Sequence, residues 1–253
     1  MSTTGWRVWA PEARTEHARW RAPLLLAALS AIGGSMDVIS FLGLNGFFTN
    51  AITGNLVLLC VHLVDGTDVQ SSRLLAVPTF IAAIVLSTVL ANRVAALGGS
   101  VVTTMLAFHT VLLTGFMAIC VTRGPFLDPN ASSAVSAALV GVVAMAVQNA
   151  MVQISFAGSP STAVMTGNVA RFAMDVSSSV LRGGAGAAEA RERAVRSVPA
   201  LLGFVAGGVL AAALEASIGL WAILLPLSLS VLAVVLAFEV EQRPGNTDRS
   251  CSG

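Results

Sequence analysis

Long runs of apolar residues alternate with short polar stretches between residues 22 and 238. A helix rises about 1.5 Å per residue, so about 20 apolar residues cross the hydrocarbon core of a bilayer. Six runs are long enough to cross, whereas 54–64 is short and 166–181 is partly polar. The pattern predicts an all-α polytopic membrane protein. The eight runs lie at roughly 22–44, 54–64, 76–97, 101–122, 132–156, 166–181, 198–216 and 217–238.

The two exceptional runs begin with the same triplet, Thr-Gly-Asn, which exposes an internal repeat. Segment 49–55, Thr-Asn-Ala-Ile-Thr-Gly-Asn, returns 113 residues later at 162–168 as Thr-Ala-Val-Met-Thr-Gly-Asn. Two later pairs of landmarks match at a shift of 121: Val77-Pro78 with Val198-Pro199, and Leu97-Gly98 with Ile218-Gly219. We therefore predict two homologous transmembrane halves, 22–122 and 131–238, between an N-terminal tail, 1–21, and a C-terminal tail, 239–253.

One family resemblance rests on motifs in both halves. In the first half, Gly33-Gly-Ser-Met-Asp37 is followed by the Phe-Thr-Asn-Ala-Ile-Thr-Gly-Asn stretch at 48–55. In the second half, Gln148-Asn149 precedes the Thr-rich stretch 161–168. These motifs resemble the YoaK-like bacterial integral membrane proteins, a family without an established activity. The resemblance covers nearly all of 22–238 and implies a transporter-like protein of the bacterial inner membrane.

Composition narrows the function classes. Hydrophobic residues make up 55% of the chain and charged residues 11%, against about a quarter in typical soluble domains. The 14 basic residues, all arginine, nearly cancel the 13 acidic ones, which argues against nucleic acid as a partner because phosphate binding needs a basic excess. Three cysteines show no metal-ligand spacing, so no metal or cofactor is expected. No catalytic motif is present, so we do not expect an enzyme.

The Thr-Gly-Asn triplets are the first candidate site. Glycine permits unusual backbone conformations, and Thr and Asn favour helix N-termini, so each triplet is interpreted as a backbone break followed by a helix start. One reading is a helix cap at a tight turn. The other is a pair of discontinuous helices that aim their N-termini at a shared pathway, as in transporters built from repeats.

Asp37 is the most unusual single residue, because it lies inside the first apolar run. A carboxylate at that depth is costly and usually faces a cavity or a partner. It is interpreted either as a coupling group for transport or as a structural hydrogen-bond acceptor. Gln148 and Asn149 occupy nearly the same place in the second half, which therefore carries neutral amides instead.

Two further features bear on packing. Arg171 and Asp175 lie four residues apart, so a helix would place them on one face as a salt bridge, or would leave Arg171 to bind an anionic substrate. Gly203 and Gly207 form a small-xxx-small face for close helix packing, which could also serve a homo-oligomer interface.

Arginine placement orients the chain, since cytoplasmic loops carry the basic excess. The N-terminal tail, the predicted loop 182–197 and the C-terminal tail are arginine-rich, so both termini are expected in the cytoplasm. If the Thr-Gly-Asn segments are re-entrant, the protein has six full transmembrane helices plus two short broken helices, and its halves are inverted. If they span, it has eight crossings and parallel halves. The shortness of 54–64 favours six.

These patterns predict a multi-pass protein of the bacterial inner membrane that transports a small polar solute. The alternative is a membrane-embedded structural or sensory protein without transport activity. The expected partners are the lipid bilayer, a small polar solute and a second copy of the chain. The candidate path residues are Asp37, Thr49, Thr53, Gly54, Asn55, Gln148, Asn149, Thr162, Thr166, Gly167, Asn168, Arg171 and Asp175.

Overall fold

The structure is a computed structural model that describes the backbone of residues 16–156, 165–181 and 183–241, and the side chains between 23 and 237 within those ranges. All regular structure in these ranges is helical, which confirms the predicted all-α class. The predicted tails lie mostly outside them. The elements are α1 Glu16–Gly43, α2 Ile52–Asp65, α3 Ser71–Ala96, α4 Val101–Arg123, α5 Ser132–Ser155, α6 Met165–Leu181, α7 Ala185–Ile218, a 3-10 turn Gly219–Ile223 and α8 Leu224–Glu241.

Five stretches of the described chain are long and apolar enough to cross a membrane. The last extends over 53 residues and contains α7, the 3-10 turn and most of α8. The helix α2 is apolar but has only 14 residues. These lengths and this composition are those of a helical membrane protein, as the apolar runs predict. The five stretches are Pro23–Gly43, Ser71–Ala96, Val101–Arg123, Ser132–Ser155 and Ala185–Ala237.

Helices α1 and α7 pack closely against each other because small residues line their contact. A methyl group added at Gly203 or Gly207 of α7 would collide with the carbonyl oxygen of Ala27 or Ala31 of α1. The two contacts advance by four residues on both helices, so α1 and α7 run parallel. The close packing predicted from the glycine spacing is thereby confirmed.

The other helix directions follow from contacts at one end of the bundle, which we call the Gly43 end. The ends of α1, α4 and α7 meet there around one cavity, whose wall includes Gly43, Gly124 and Gly219. Helix α3 begins there, since Gln70 Nε2 donates to the Leu44 carbonyl oxygen over 3.4 Å. Helix α5 begins beside it, since the Ser71 N–H donates to Asn130 Oδ1 over 2.7 Å. Three helices therefore run towards the Gly43 end, and α3, α5 and α8 run away from it. The opposite end, where α6 gives way to α7, is called the Ala185 end.

The predicted loop 182–197 is wrong, because α7 already begins at Ala185. The stretch 185–196 is rich in alanine, glutamate and arginine, which have high helix propensity. An ion pair one turn apart, between Arg196 and Glu192, adds to it. The amphipathic start of α7 therefore extends the helix beyond the apolar run that begins at 198.

Candidate functional site

The carboxylate of Asp37 holds the chain that follows α1. Asp37 lies nearly two turns before the end of α1 and is 6% exposed. Its Oδ1 atom accepts hydrogen bonds from the backbone N–H groups of Asn50, at 2.8 Å, and Ala51, at 3.0 Å. Both N–H groups precede the first turn of α2, where a helix leaves its amides without partners. The carboxylate supplies an acceptor at a helix start that lacks a side-chain cap of its own.

A sharp reversal after α1 brings these amides back to Asp37. Asn45 and Gly46 both have left-handed backbone conformations, with φ of 56° and 75°. The chain then returns beside the last turns of α1, where the Thr49 hydroxyl lies 3.3 Å from that of Ser40. Thr49 is fully buried. Segment 44–51 thus re-enters the bundle without regular structure.

Helix α2 carries the chain out again to the Gly43 end. His62, in the last turn of α2, lies beside Arg73 in the first turn of α3, with Arg73 Nη1 3.1 Å from the ring nitrogen Nε2. Arg73 Nη2 donates to the carbonyl oxygens of Asn45 and Gly46 over 3.0 and 3.2 Å. The end of α2 therefore lies next to the turn that follows α1. Residues 44–65 form one re-entrant segment, a loop inward and a helix outward.

The first triplet forms the start of this helix and is not itself the backbone break. Thr53, Gly54 and Asn55 lie within the first turn of α2, and the break precedes them. The Asn55 amide donates to the Phe48 carbonyl oxygen over 2.7 Å and accepts from the Phe48 N–H over 3.0 Å. A methyl group at Gly54 would lie 2.9 Å from the Phe48 ring. The triplet thus closes the loop onto α2, while Thr53 is exposed.

The second triplet occupies the same helical positions in α6. Thr166, Gly167 and Asn168 are the second to fourth residues of a helix that begins at Met165. Asn168 is buried like Asn55, and its Nδ2 lies 3.7 Å from the Met165 sulfur. Thr166 is exposed. Thr162 lies outside the described residues, so the placement of that candidate is not described.

The amides Gln148 and Asn149 join α5 to the first half. Gln148 Nε2 donates to the Leu29 carbonyl oxygen of α1 over 3.0 Å. Asn149 Nδ2 donates to Asn50 Oδ1 over 3.2 Å. Both amides are at most 1% exposed. The structure therefore brings Asp37, Asn50 and Asn149 into one buried hydrogen-bonded chain that links α1, the re-entrant loop and α5.

The predicted pairing of Arg171 with Asp175 is wrong. Asp175 Oδ1 accepts from Arg193 Nε over 2.9 Å, which joins α6 to α7. The Arg171 side chain is exposed on α6. Asp175 binds Arg193 and not Arg171 because α7 starts at Ala185 and runs back along α6, which brings Arg193 opposite the carboxylate. Neither residue reaches the Asp37 cluster by a hydrogen bond in the described chain.

Two buried polar sites are not among the candidate path residues predicted from the sequence. Arg73 is 5% exposed, although it lies just before an apolar run. His109 is fully buried in α4, with Nδ1 2.9 Å from Ser230 Oγ of α8. The two positions differ by 121, the shift of the later landmarks, so the predicted repeat would make them equivalent.

The chemistry available to the cluster is hydrogen bonding and charge. Within the described ranges, no group of three or more His, Cys, Asp and Glu side chains could hold a metal ion. The Asp37 oxygen is held by backbone amides, while Asn50 and Asn149 present side-chain amides. Such a set can bind polar groups or lock helices together, and it presents no activated nucleophile.

Comparison with known proteins identifies a family. A family model described as "Protein of unknown function (DUF1275)" matches residues 25–236, nearly the whole helical region. This confirms the resemblance to the YoaK-like proteins, whose family has no established function. No curated protein matches, and no solved structure matches.

Proposed function

We propose that this chain, which belongs to the DUF1275 family of proteins of unknown function, is a transporter or permease for a small polar solute. The proposed path follows the re-entrant segment 44–65 past Asp37 and Asn149. One observation carries the proposal: a buried, non-helical loop is anchored on a carboxylate inside a bundle of apolar helices. Irregular backbone at membrane depth is tolerated only where protein or a water-filled cavity surrounds it.

The proposal includes six crossings and inverted halves. Helix α2 runs from the bundle interior to the Gly43 end, where His62 meets Arg73. Helix α6 runs antiparallel to α7, towards the Ala185 end, as the Asp175–Arg193 pair requires. The two short helices that carry the triplets therefore point in opposite directions. Inverted repeats with broken helices are typical of secondary transporters.

Contacts between equivalent residues support the inversion. Under the shift of 121, α4 corresponds to α8, and His109 corresponds to Ser230, which it touches at 2.9 Å. Two equivalent residues meet when a two-fold axis passes between them. Helices α3 and α7 also correspond in detail, since Pro78 and Pro199 lie inside them, and a positive-φ glycine follows each helix.

The orientation follows from the positive charges. The N-terminus of α1 and the arginines of α7 between 191 and 196 lie at the Ala185 end. We infer that this end faces the cytoplasm of a bacterial cell, with both chain termini on that side. Arg73 and Arg123 then lie at the outer face. In this arrangement the re-entrant segment 44–65 enters the bundle from the outer face, and α6 ends at the cytoplasmic face.

A membrane-embedded structural or sensory protein is the second candidate. The observation that favours it is the bonding of Asp37 to two backbone amides, which is what a purely structural carboxylate would do. In that case the buried polar residues lock the re-entrant loop in place, and no solute crosses.

The two candidates separate on the Asp37→Asn variant. The asparagine Oδ1 can still accept both N–H bonds, so the loop should stay in place while the charge is lost. Wild-type protein in liposomes is exposed to sugars, amino acids, amines and carboxylates on a solid-supported membrane, and charge movement is recorded. Transport predicts solute-dependent currents that vanish in Asp37→Asn and persist in the exposed control Asp68→Asn. Equal currents in wild type and Asp37→Asn would reject the coupling role, and silence of the wild type throughout would favour the structural candidate.

A further inference from the structure

A cavity of about 430 Å³ lies at the Gly43 end, apart from the Asp37 cluster. Three helix ends surround it, those of α1, α4 and α7, together with the 3-10 turn. Its wall combines apolar and aromatic side chains with a single carboxylate. The residues that matter are Asn45, Cys120, Phe126, Glu215, Leu220 and Trp221.

Glu215 gives this cavity its chemistry. It is the only carboxylate among the described residues that line the cavity, and no cation is among them. Its Oε2 atom is buried and accepts no hydrogen bond within the described chain. A buried carboxylate oxygen without a donor is costly, so a ligand that supplies an N–H group would relieve that cost. Trp221 and Phe126 add aromatic surface, and aromatic faces attract cations.

We propose that this cavity binds a small primary ammonium compound with an apolar body. The ammonium group donates to Glu215 Oε2, and the apolar body lies against Phe126, Leu220 and Trp221. This assignment rests on the transport proposal, in which the cavity is the outer entry site and organic amines are the substrate class. The cavity volume of about 430 Å³ lies at the low end of ordinary pockets for small organic ligands.

Two positive charges, Arg73 and Arg123, lie at this end of the bundle, and neither is among the residues that line the cavity. Arg73 binds the carbonyl oxygen of Asn45, a lining residue, over 3.0 Å. Its own guanidinium is held by backbone carbonyls and His62, so it faces those groups and is not among the lining residues. An anionic ligand would be expected only if Arg73, and not Glu215, determined the local charge preference.

The test uses two free cysteines of the same chain. Cys120 is buried and lines the cavity, whereas Cys60 is exposed on α2 and serves as an internal reference. The full-length protein is alkylated with N-ethylmaleimide, and modification of each cysteine is followed by peptide mass spectrometry. The probe is phenethylammonium, compared with neutral 2-phenylethanol and anionic phenylacetate. At ten times its Kd, phenethylammonium should slow modification of Cys120 about tenfold and leave Cys60 unchanged.

The matched variants are Glu215→Gln in the cavity and Glu192→Gln on the exposed part of α7. Loss of a charged hydrogen bond should weaken phenethylammonium binding about 10- to 100-fold in Glu215→Gln and leave Glu192→Gln unchanged. The unliganded rate at Cys120 shows whether each variant is folded. If the unliganded rate at Cys120 rises in Glu215→Gln, the protection of wild-type Cys120 by the three probes tests the proposal instead. Equal protection by 2-phenylethanol, protection by phenylacetate instead, or no protection by phenethylammonium would each overturn the proposal. Binding without amine-driven currents would instead reject transport and leave the site intact.

Discussion

The two Thr-Gly-Asn segments start from the same local sequence and take up the same positions in a helix, yet they have different surroundings. In the first half, Asn55 binds the backbone of Phe48, and Asp37 binds the amides that precede α2. In the second half, the buried Asn168 contacts Met165, and the residues near the place of Asp37 are the amides Gln148 and Asn149. The triplet therefore specifies a helix start with a buried asparagine. Among the described residues, the first half adds a carboxylate that anchors the chain before its helix.

The two halves therefore differ in the kind of buried polar group that they contribute. The first half holds its re-entrant loop by a carboxylate, and a charge inside a membrane protein can respond to protons or cations. The second half provides neutral amides that reach across to Asn50 and Leu29. One charged site and one neutral site would suit the proposed transporter, with Asp37 as its single titratable group. Variants that remove or enlarge this difference should differ in the size of their effect.

Removal of the anchor should have the largest effect. Asp37→Ala leaves the N–H groups of Asn50 and Ala51 buried without their acceptor, and we expect the free energy of unfolding to fall by roughly 3 kcal/mol. Asp37→Asn should cost less than half of that. Equilibrium unfolding in mixed micelles measures both variants. A result in which alanine and asparagine are equally harmless would mean that the carboxylate does not hold the loop.

A side chain at Gly54 should have the next largest effect. The methyl group of Gly54→Ala would lie 2.9 and 3.1 Å from two atoms of the Phe48 ring, so the ring must shift, at a cost of about 1–3 kcal/mol. Gly115→Ala is the matched control, because nothing lies within 4 Å of the added methyl group on α4. The control should be neutral or stabilising by up to about 1 kcal/mol. Thermal unfolding distinguishes the two, and similar melting temperatures would contradict the packing of Phe48 on Gly54.

The link between the halves should be of intermediate strength. A double-mutant cycle of Asn50→Ala and Asn149→Ala should give a coupling energy of about 1 kcal/mol, because the two side chains share a hydrogen bond of 3.2 Å. Unfolding of the four proteins in micelles gives that coupling. Strict additivity would show that the bond does not contribute, and the re-entrant loop would then be held by the first half alone.

The surface ion pair of the second half should matter least. Arg193→Ala removes the partner of Asp175, but the Arg193 side chain is 51% exposed, so the loss should stay below about 1 kcal/mol. Arg171→Ala should be smaller still, since Asp175 is bound to Arg193. Melting temperatures at low and high salt measure both. A larger loss for Arg171→Ala would restore the pairing predicted from the four-residue spacing.

The apolar runs predict the helices well, because burial in lipid imposes length and composition directly on the sequence. They do not predict the backbone break, which depends on the left-handed pair Asn45 and Gly46 ahead of the triplet. Arg73 is missed for the same reason, since its acceptors are the carbonyl groups of that turn. Arg193, the partner of Asp175, is missed because the start of α7 is polar and its sequence pattern predicts a loop. Contacts made by backbone groups leave little trace in side-chain patterns.

In the proposed arrangement, the two triplet-bearing helices point to opposite faces of the membrane. Sided thiol labelling tests it in a background without the native cysteines. The positions are Asp68→Cys, between α2 and α3, and Gly183→Cys, between α6 and α7, both exposed and outside the helices. We expect a membrane-impermeant maleimide to reach Asp68→Cys from the outside and Gly183→Cys only from the cytoplasmic side. Labelling of both positions from the same side would contradict the inverted arrangement and leave eight crossings with parallel halves.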